Sequence, residues 1–140
     1  IISGDKESIN LLQERLKENK KKFIPLNVSA PFHCSLMKPA AEHMAEKINS
    51  IVFKKPNIDI VSNVSSKPEN DPNTIKKLLI SQICSTVRWR ESIINMSEKK
   101  VTDYIEIGPG KVLSGMVKRT LKDINCFSIN SINDIKKIIT

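Results

Sequence analysis

The segment Val101-Thr102-Asp103-Tyr104-Ile105-Glu106-Ile107-Gly108-Pro109-Gly110 constrains this chain more than any other. Its apolar residues first alternate and then run almost without a break, as a largely buried strand requires, and a Gly-Pro-Gly turn stops them. A helical pattern over about residues 111–121 follows, then a second apolar run from about Ile124 to Ile129. Two strands joined through one helix pair in parallel, because the crossover returns the chain to the same end of the sheet. Most of the chain therefore reads as α/β with parallel pairing, closed by a helix over about residues 132–139 that Ser131 caps.

The earlier residues supply shorter signals. Asp5 is placed to cap a helix over about residues 6–19, where Ile9, Leu12 and Leu16 recur at helical spacing. Residues 23–28 read as a strand that Pro25 pushes toward a sheet edge. Met37, Ala41, Met44 and Ile48 form an apolar stripe over about Ser35 to Asn49, with Pro39 tolerated near the first turn. His43 lies off that stripe and reads as a solvated surface histidine. Ile58 to Val61 reads as a short strand, and Asp71-Pro72 signals a helix over about residues 73–83. Trp89, Ile93 and Met96 share one side of a further helix reaching about Lys99. The chain opens without an initiator Met on Ile1-Ile2-Ser3-Gly4-Asp5, which reads as the end of a strand already under way, so a fragment is expected.

Length and charge narrow the function classes. The 140 residues suffice for one domain with a real core. The net charge of +8 raises nucleic acid or an acidic protein as partner. The lysines are scattered in pairs (Lys54-Lys55, Lys76-Lys77, Lys99-Lys100, Lys136-Lys137) with one triplet, Lys20 to Lys22, and few aromatics lie between them. No nucleic-acid module is recognisable, so a solvated basic surface is expected rather than a nucleic-acid partner. Cys34, Cys84 and Cys126 are odd in number and widely spaced, which argues against a disulfide framework and against a metal site. With no apolar stretch long enough to span a bilayer, no membrane is expected and a cytoplasmic location is.

Chemistry centres on His33. It follows an extended-looking run that ends at Pro31-Phe32 and precedes a helical pattern, so it suits either a helix cap or a general base held on a corner. Cys34 adjoins it, but a nucleophile and its base ordinarily come from separate segments. No Gly-x-Ser-x-Gly elbow occurs. Gly108-Pro109-Gly110 before a helix is either an anion-binding helix entrance or a tight turn for close packing.

Three ordered segments carry a resemblance: Val28 to Ala40 with its Pro31-Phe32-His33-Cys34, Gln82 to Ser92 with its Val87-Arg88-Trp89, and Tyr104 to Leu113 with its Gly108-Pro109-Gly110. Together they resemble the malonyl-CoA:acyl-carrier-protein transacylases and the related acyltransferase domains of fatty-acid and polyketide synthases. The opening Ile1-Ile2-Ser3-Gly4 resembles the strand that starts the second half of that family's small inserted subdomain, so the resemblance runs the length of the chain. It implies residues 1–28 as the remainder of a small ferredoxin-like subdomain and residues 29–140 as the C-terminal part of an α/β-hydrolase-like, parallel-sheet acyltransferase core.

The resemblance also implies an activity, the transfer of malonyl from coenzyme A to the phosphopantetheine thiol of acyl carrier protein through a serine acyl-enzyme in fatty-acid biosynthesis. His33 matches the general base, and Gln82 matches the position whose backbone carbonyl orients that imidazole. Phe32 matches a position facing the acyl pocket, where a ring suits a small malonyl group. Lys38, Lys111, Lys118 and Arg119 are candidates to meet an acidic carrier protein. No permanently bound cofactor is implied; the substrates are the coenzyme A thioester and the carrier. The family's serine motif has no counterpart here, so these residues alone are expected to be inactive and to need the N-terminal half of the same enzyme as a partner. Thr86 stands where relatives commonly carry Pro, a departure that bears on the local path of the chain. A synthase domain and a basic binding module without catalysis are the alternatives.

Overall fold

The computed structural model describes residues 1–139, with side chains through Lys136; Thr140, the far limit of the expected core, and the Lys137 side chain lie outside that description. The chain divides into two compact units, Ile1–Val87 and Arg88–Thr140. The fold class is α/β, as the alternation of apolar runs and helical patterns implies.

The first unit contains α1 (Lys6–Glu18), a 3-10 turn at Ser35–Met37 leading into α2 (Lys38–Ser50), the strands β1 (Ile60–Val61) and β2 (Pro68–Glu69), and α3 (Pro72–Ser81). Both expected acidic caps form. Asp5 accepts the amide of Ser8 at 2.9 Å, and Asp71 accepts the amide of Thr74 at 2.7 Å with Pro72 in the first turn. Helices α2 and α3 pack together, and the Lys76 ammonium joins them: it donates to the carbonyl of Asn49 in the last turn of α2 at 3.2 Å and lies 5.4 Å from the centre of the Phe53 ring.

The second unit contains α4 (Trp89–Glu98), β3 (Asp103–Ile107), α5 (Val112–Thr120), β4 (Asn125–Ile129) and α6 (Ile132–Ile139). Strands β3 and β4 pair in parallel, with Tyr104 opposite Cys126 and Ile107 opposite Ile129. Strand alternation places Tyr104 and Cys126 on the helix-covered face, where Ile93 and Val117 complete the core and Trp89, Met96, Leu121 and Ile124 pack around it. The same alternation leaves Ile105, Phe127 and Ile107 on the other face, Ile107 being 80% exposed. Burial raises the Tyr104 phenol above its ordinary pKa, with a smaller contribution from Cys126.

Three expected strand assignments need correction. Residues 23–28 are not a strand: no described segment pairs with them, and Ile24, Leu26 and Val28 are exposed, so there is neither a ladder nor a buried face to hold them extended. Residues 1–2 likewise form no strand. The strand expected from Ile58 begins at Ile60 and pairs antiparallel with Pro68–Glu69, a partner with no apolar pattern of its own to announce it.

Ile93 is the most deeply buried large side chain of the second unit, at 1% exposure. Ile93→Ala is expected to lower unfolding free energy by about 2–5 kcal/mol, measured by denaturant titration, because the surrounding cluster closes only partly over the space left. His43→Ala, at an exposed position, is expected to change it by less than about 0.5 kcal/mol.

Candidate active site

The chain reaches His33 by a tight corner. The amide of Phe32 bonds to the carbonyl of Ala30 at 2.9 Å, and His33 then takes a left-handed backbone conformation, φ 61°. A non-glycine residue there costs on the order of 1–3 kcal/mol, which the surroundings must offset. Cys34 returns to an extended conformation as N-cap of the 3-10 turn, its thiol donating to the carbonyl of Pro31 at 3.1 Å. The corner is thus tied across its base, and the helical segment begins two residues beyond the histidine, at Ser35.

His33 caps nothing. Its Nδ1 lies 2.9 Å from the backbone carbonyl of Gln82, 49 residues away at the C-cap of α3. A carbonyl oxygen only accepts, so Nδ1 carries the proton and Nε2 keeps its lone pair. Helix ends leave carbonyls without donors from a following turn, and the imidazole fills one of these. Asn63, in the loop after β1, donates from Nδ2 to the side-chain Oε1 of Gln82 at 3.2 Å. The structure therefore brings His33, Gln82 and Asn63 together.

The other candidates are exposed. Phe32 is 44% exposed beside the histidine. Lys38 pairs with Glu42 one helical turn on, at 3.9 Å and in solvent. Lys111, Lys118 and Arg119 are exposed on the second unit, the last two in the final turn of α5 where the helix dipole favours cations. Arg88 pairs with Glu91 at 3.6 Å, and Trp89 packs on the core.

The glycine turn is likewise resolved. Gly108 and Gly110 adopt φ 137° and 98°, conformations that side chains rarely take. The entrance of α5 holds an anion, but one from the chain itself: the Glu106 carboxylate accepts the amides of Leu113 and Ser114 at 3.1 and 2.8 Å and the Ser114 hydroxyl at 2.6 Å. The amide of Gly110 donates to the Asn130 side chain at 2.6 Å, and that of Gly108 to the carbonyl of Ile129 at 3.0 Å. The segment is a packed turn. Its reading as an external anion site fails because these donors already have acceptors.

Asn63 and Glu106 are the residues that sequence reasoning missed. Glu106 had a signal, since a carboxylate just before a turn and helix can fold back on the helix entrance; Asn63 lay in a polar loop with none.

The comparisons with known proteins bear on this geometry. Residues 1–138 match the acyl transferase domain family. The chain belongs to that family. A malonyl CoA-acyl carrier protein transacylase of Bacillus subtilis is 41% identical over 140 residues, covering 99% of this chain and 44% of the relative. An acyl carrier protein S-malonyltransferase from Vibrio cholerae, solved as a crystal structure, superposes with a TM-score of 0.88 at 39% identity, covering 96% of this chain and 44% of that one. A malonyl-transacylase solved in complex with a type II polyketide synthase acyl-carrier protein superposes with a TM-score of 0.87 at 35% identity, covering 96% and 44%. This acyl transferase chain thus spans less than half the length of the relatives it matches. Among its described residues no helix is long and apolar enough to cross a membrane.

Hydrogen bonds from Ser114, followed by the amide of Leu113, hold the Glu106 carboxyl below its ordinary pKa of 4.5. A carboxylate depressed in the folded state contributes stability that is present above its unfolded pKa and lost as pH falls through the folded one. Glu106→Gln is expected to lower the thermal midpoint at pH 7, and the gap from the parent is expected to narrow as pH drops below about 4.5. A gap that stays constant down to the acid limit would contradict the role of the ionised group.

Proposed function

We propose that this chain supplies the general base of a malonyl-CoA:acyl-carrier-protein transacylase of fatty-acid biosynthesis. The observation that carries the reading is the His33 Nδ1 bond to the Gln82 carbonyl, which directs the Nε2 lone pair away from its own support. A backbone carbonyl takes the place that a carboxylate holds in a serine triad: it orients the ring and stabilises the imidazolium by its dipole. Nε2 then accepts the proton of a serine hydroxyl as the malonyl ester forms, and returns it to the departing coenzyme A thiolate. It accepts the thiol proton of phosphopantetheine when the carrier attacks that ester, and returns it to the serine oxygen as the malonyl thioester leaves. The serine is supplied outside these 140 residues, by the part of the family domain that the matched relatives possess beyond their 44% overlap with this chain.

Several narrower assignments belong to the same reading. Phe32 borders the acyl group, residues 1–28 belong to the small subdomain and residues 29–140 to the large one. Malonyl-CoA and the phosphopantetheinylated carrier are substrates, with no resident cofactor, and the reaction takes place in the cytoplasm, where Cys34, Cys84 and Cys126 stay free thiols. Lys38, Lys111, Lys118 and Arg119 would attract an acidic carrier over a distance set by salt. The names of the relatives support this reading over a nucleic-acid module.

In the full-length protein carrying this sequence, His33→Ala is expected to reduce malonyl transfer from coenzyme A to carrier by about 10²–10⁴-fold, the usual worth of a positioned base. Transfer at the parent rate would overturn the assignment. The 140 residues by themselves are expected to give no turnover in the same radiolabelled-malonyl assay.

A further inference from the structure

We infer that Asn63 is a positioning residue for the His33 imidazole, acting through the Gln82 side chain to fix the peptide whose carbonyl holds the ring. The consequence for catalysis rests on the transacylase reading; the geometry does not. Gln82 is the C-cap of α3, where the chain leaves the helix through a turn. Carbonyls at such an end tilt readily toward water, because no later turn restrains them. Gln82 is held from three directions: its amide donates to the carbonyl of Leu78 at 2.9 Å, its carbonyl accepts from His33 at 2.9 Å, and its side-chain oxygen accepts from Asn63 at 3.2 Å. The first is an ordinary helical bond and the second is the contact to be stabilised, so the third is the independent restraint.

The loop bearing Asn63 does not need that amide for its own shape. The amide of Ser66 donates to the carbonyl of Ser62 at 2.9 Å, and that of Val64 to the Ser62 hydroxyl at 3.1 Å. Ser66, with φ 55° and only 2% exposure, anchors the loop into the unit. Packing does not replace the Asn63 contact either. A hollow of about 110 Å³ lies between the hairpin and α3, lined by Ile60, Ile75 and Leu78 together with Asn63 and Gln82 themselves. Across that hollow an amide-to-amide hydrogen bond couples the hairpin to the helix end.

The test uses the full-length protein and four variants. Gln82→Ala removes the acceptor while keeping the backbone carbonyl. Asn63→Ala and Gln82→Ala are each expected to lower kcat about tenfold with KM changed less than about twofold, since a misdirected ring impairs chemistry and not substrate capture. The double variant should be no worse than either single one. By proton NMR, the resonance of the His33 Nδ1-bound hydrogen should broaden by solvent exchange in Asn63→Ala. Asn70→Ala, which removes a bond to Asp59 (3.3 Å) from the same hairpin, should leave both readouts unchanged. Parent kcat with an unchanged resonance in Asn63→Ala, additive losses in the double variant, or an equal loss in Asn70→Ala would each overturn the inference. Absence of malonyl transfer by the parent protein would instead remove the transacylase reading, and the resonance would still decide the role of Asn63.

Discussion

The hydrogen bond from His33 Nδ1 to the Gln82 carbonyl is the contact on which the candidate site depends, and much of the first unit is arranged so that it can form. The donor sits on a corner whose left-handed backbone is tied at Ala30 and Pro31. The acceptor is the exposed carbonyl of a helix end, started ten residues earlier by the Asp71 cap and Pro72 and braced sideways by Asn63. A strained residue at a corner persists only when its surroundings over-determine it. Here the strain has a directional result, because proton placement at Nδ1 leaves the basic nitrogen facing outward.

The second unit handles its own polar groups by a different device. A short parallel pair of strands with a glycine turn would ordinarily present a helix entrance to a passing anion. Glu106 occupies that entrance from within, and Asn130 takes the Gly110 amide, so the loops after β3 and β4 are joined to each other. The opposite face of this pair carries Ile105, Ile107 and Phe127, all of them exposed. Two strands with one apolar face covered make a marginal sheet in water, and the matched relatives are more than twice as long as this chain.

Legibility from sequence followed the range of each interaction. The helices, their acidic caps and the parallel pairing of residues 103–107 with 125–129 rest on local periodicity and on one connection rule, and these were readable. The strand expected at residues 23–28 was not realised, because a strand is defined by its partner and an apolar run does not say whether one is within reach. Pro68–Glu69 was unreadable for the converse reason: its pairing comes from the turn that precedes it. At the site, His33 and Gln82 could be named through the family motifs. From spacing alone His33 remained poised between cap and base, and only its partner 49 residues away decides. Asn63 acts through a side chain on a side chain, a contact with no period and no motif.

The central claim is that the His33 ring is held in one tautomer with Nε2 unprotonated and outward. The most direct measurement is the pair of ring ¹⁵N chemical shifts of His33 in the full-length protein, taken at alkaline pH. The account predicts a protonated, amine-like Nδ1 and an imine-like Nε2, with the Nδ1 proton correlated to the Gln82 carbonyl. A predominantly Nε2-protonated ring, or shifts averaged between the two tautomers, would contradict it.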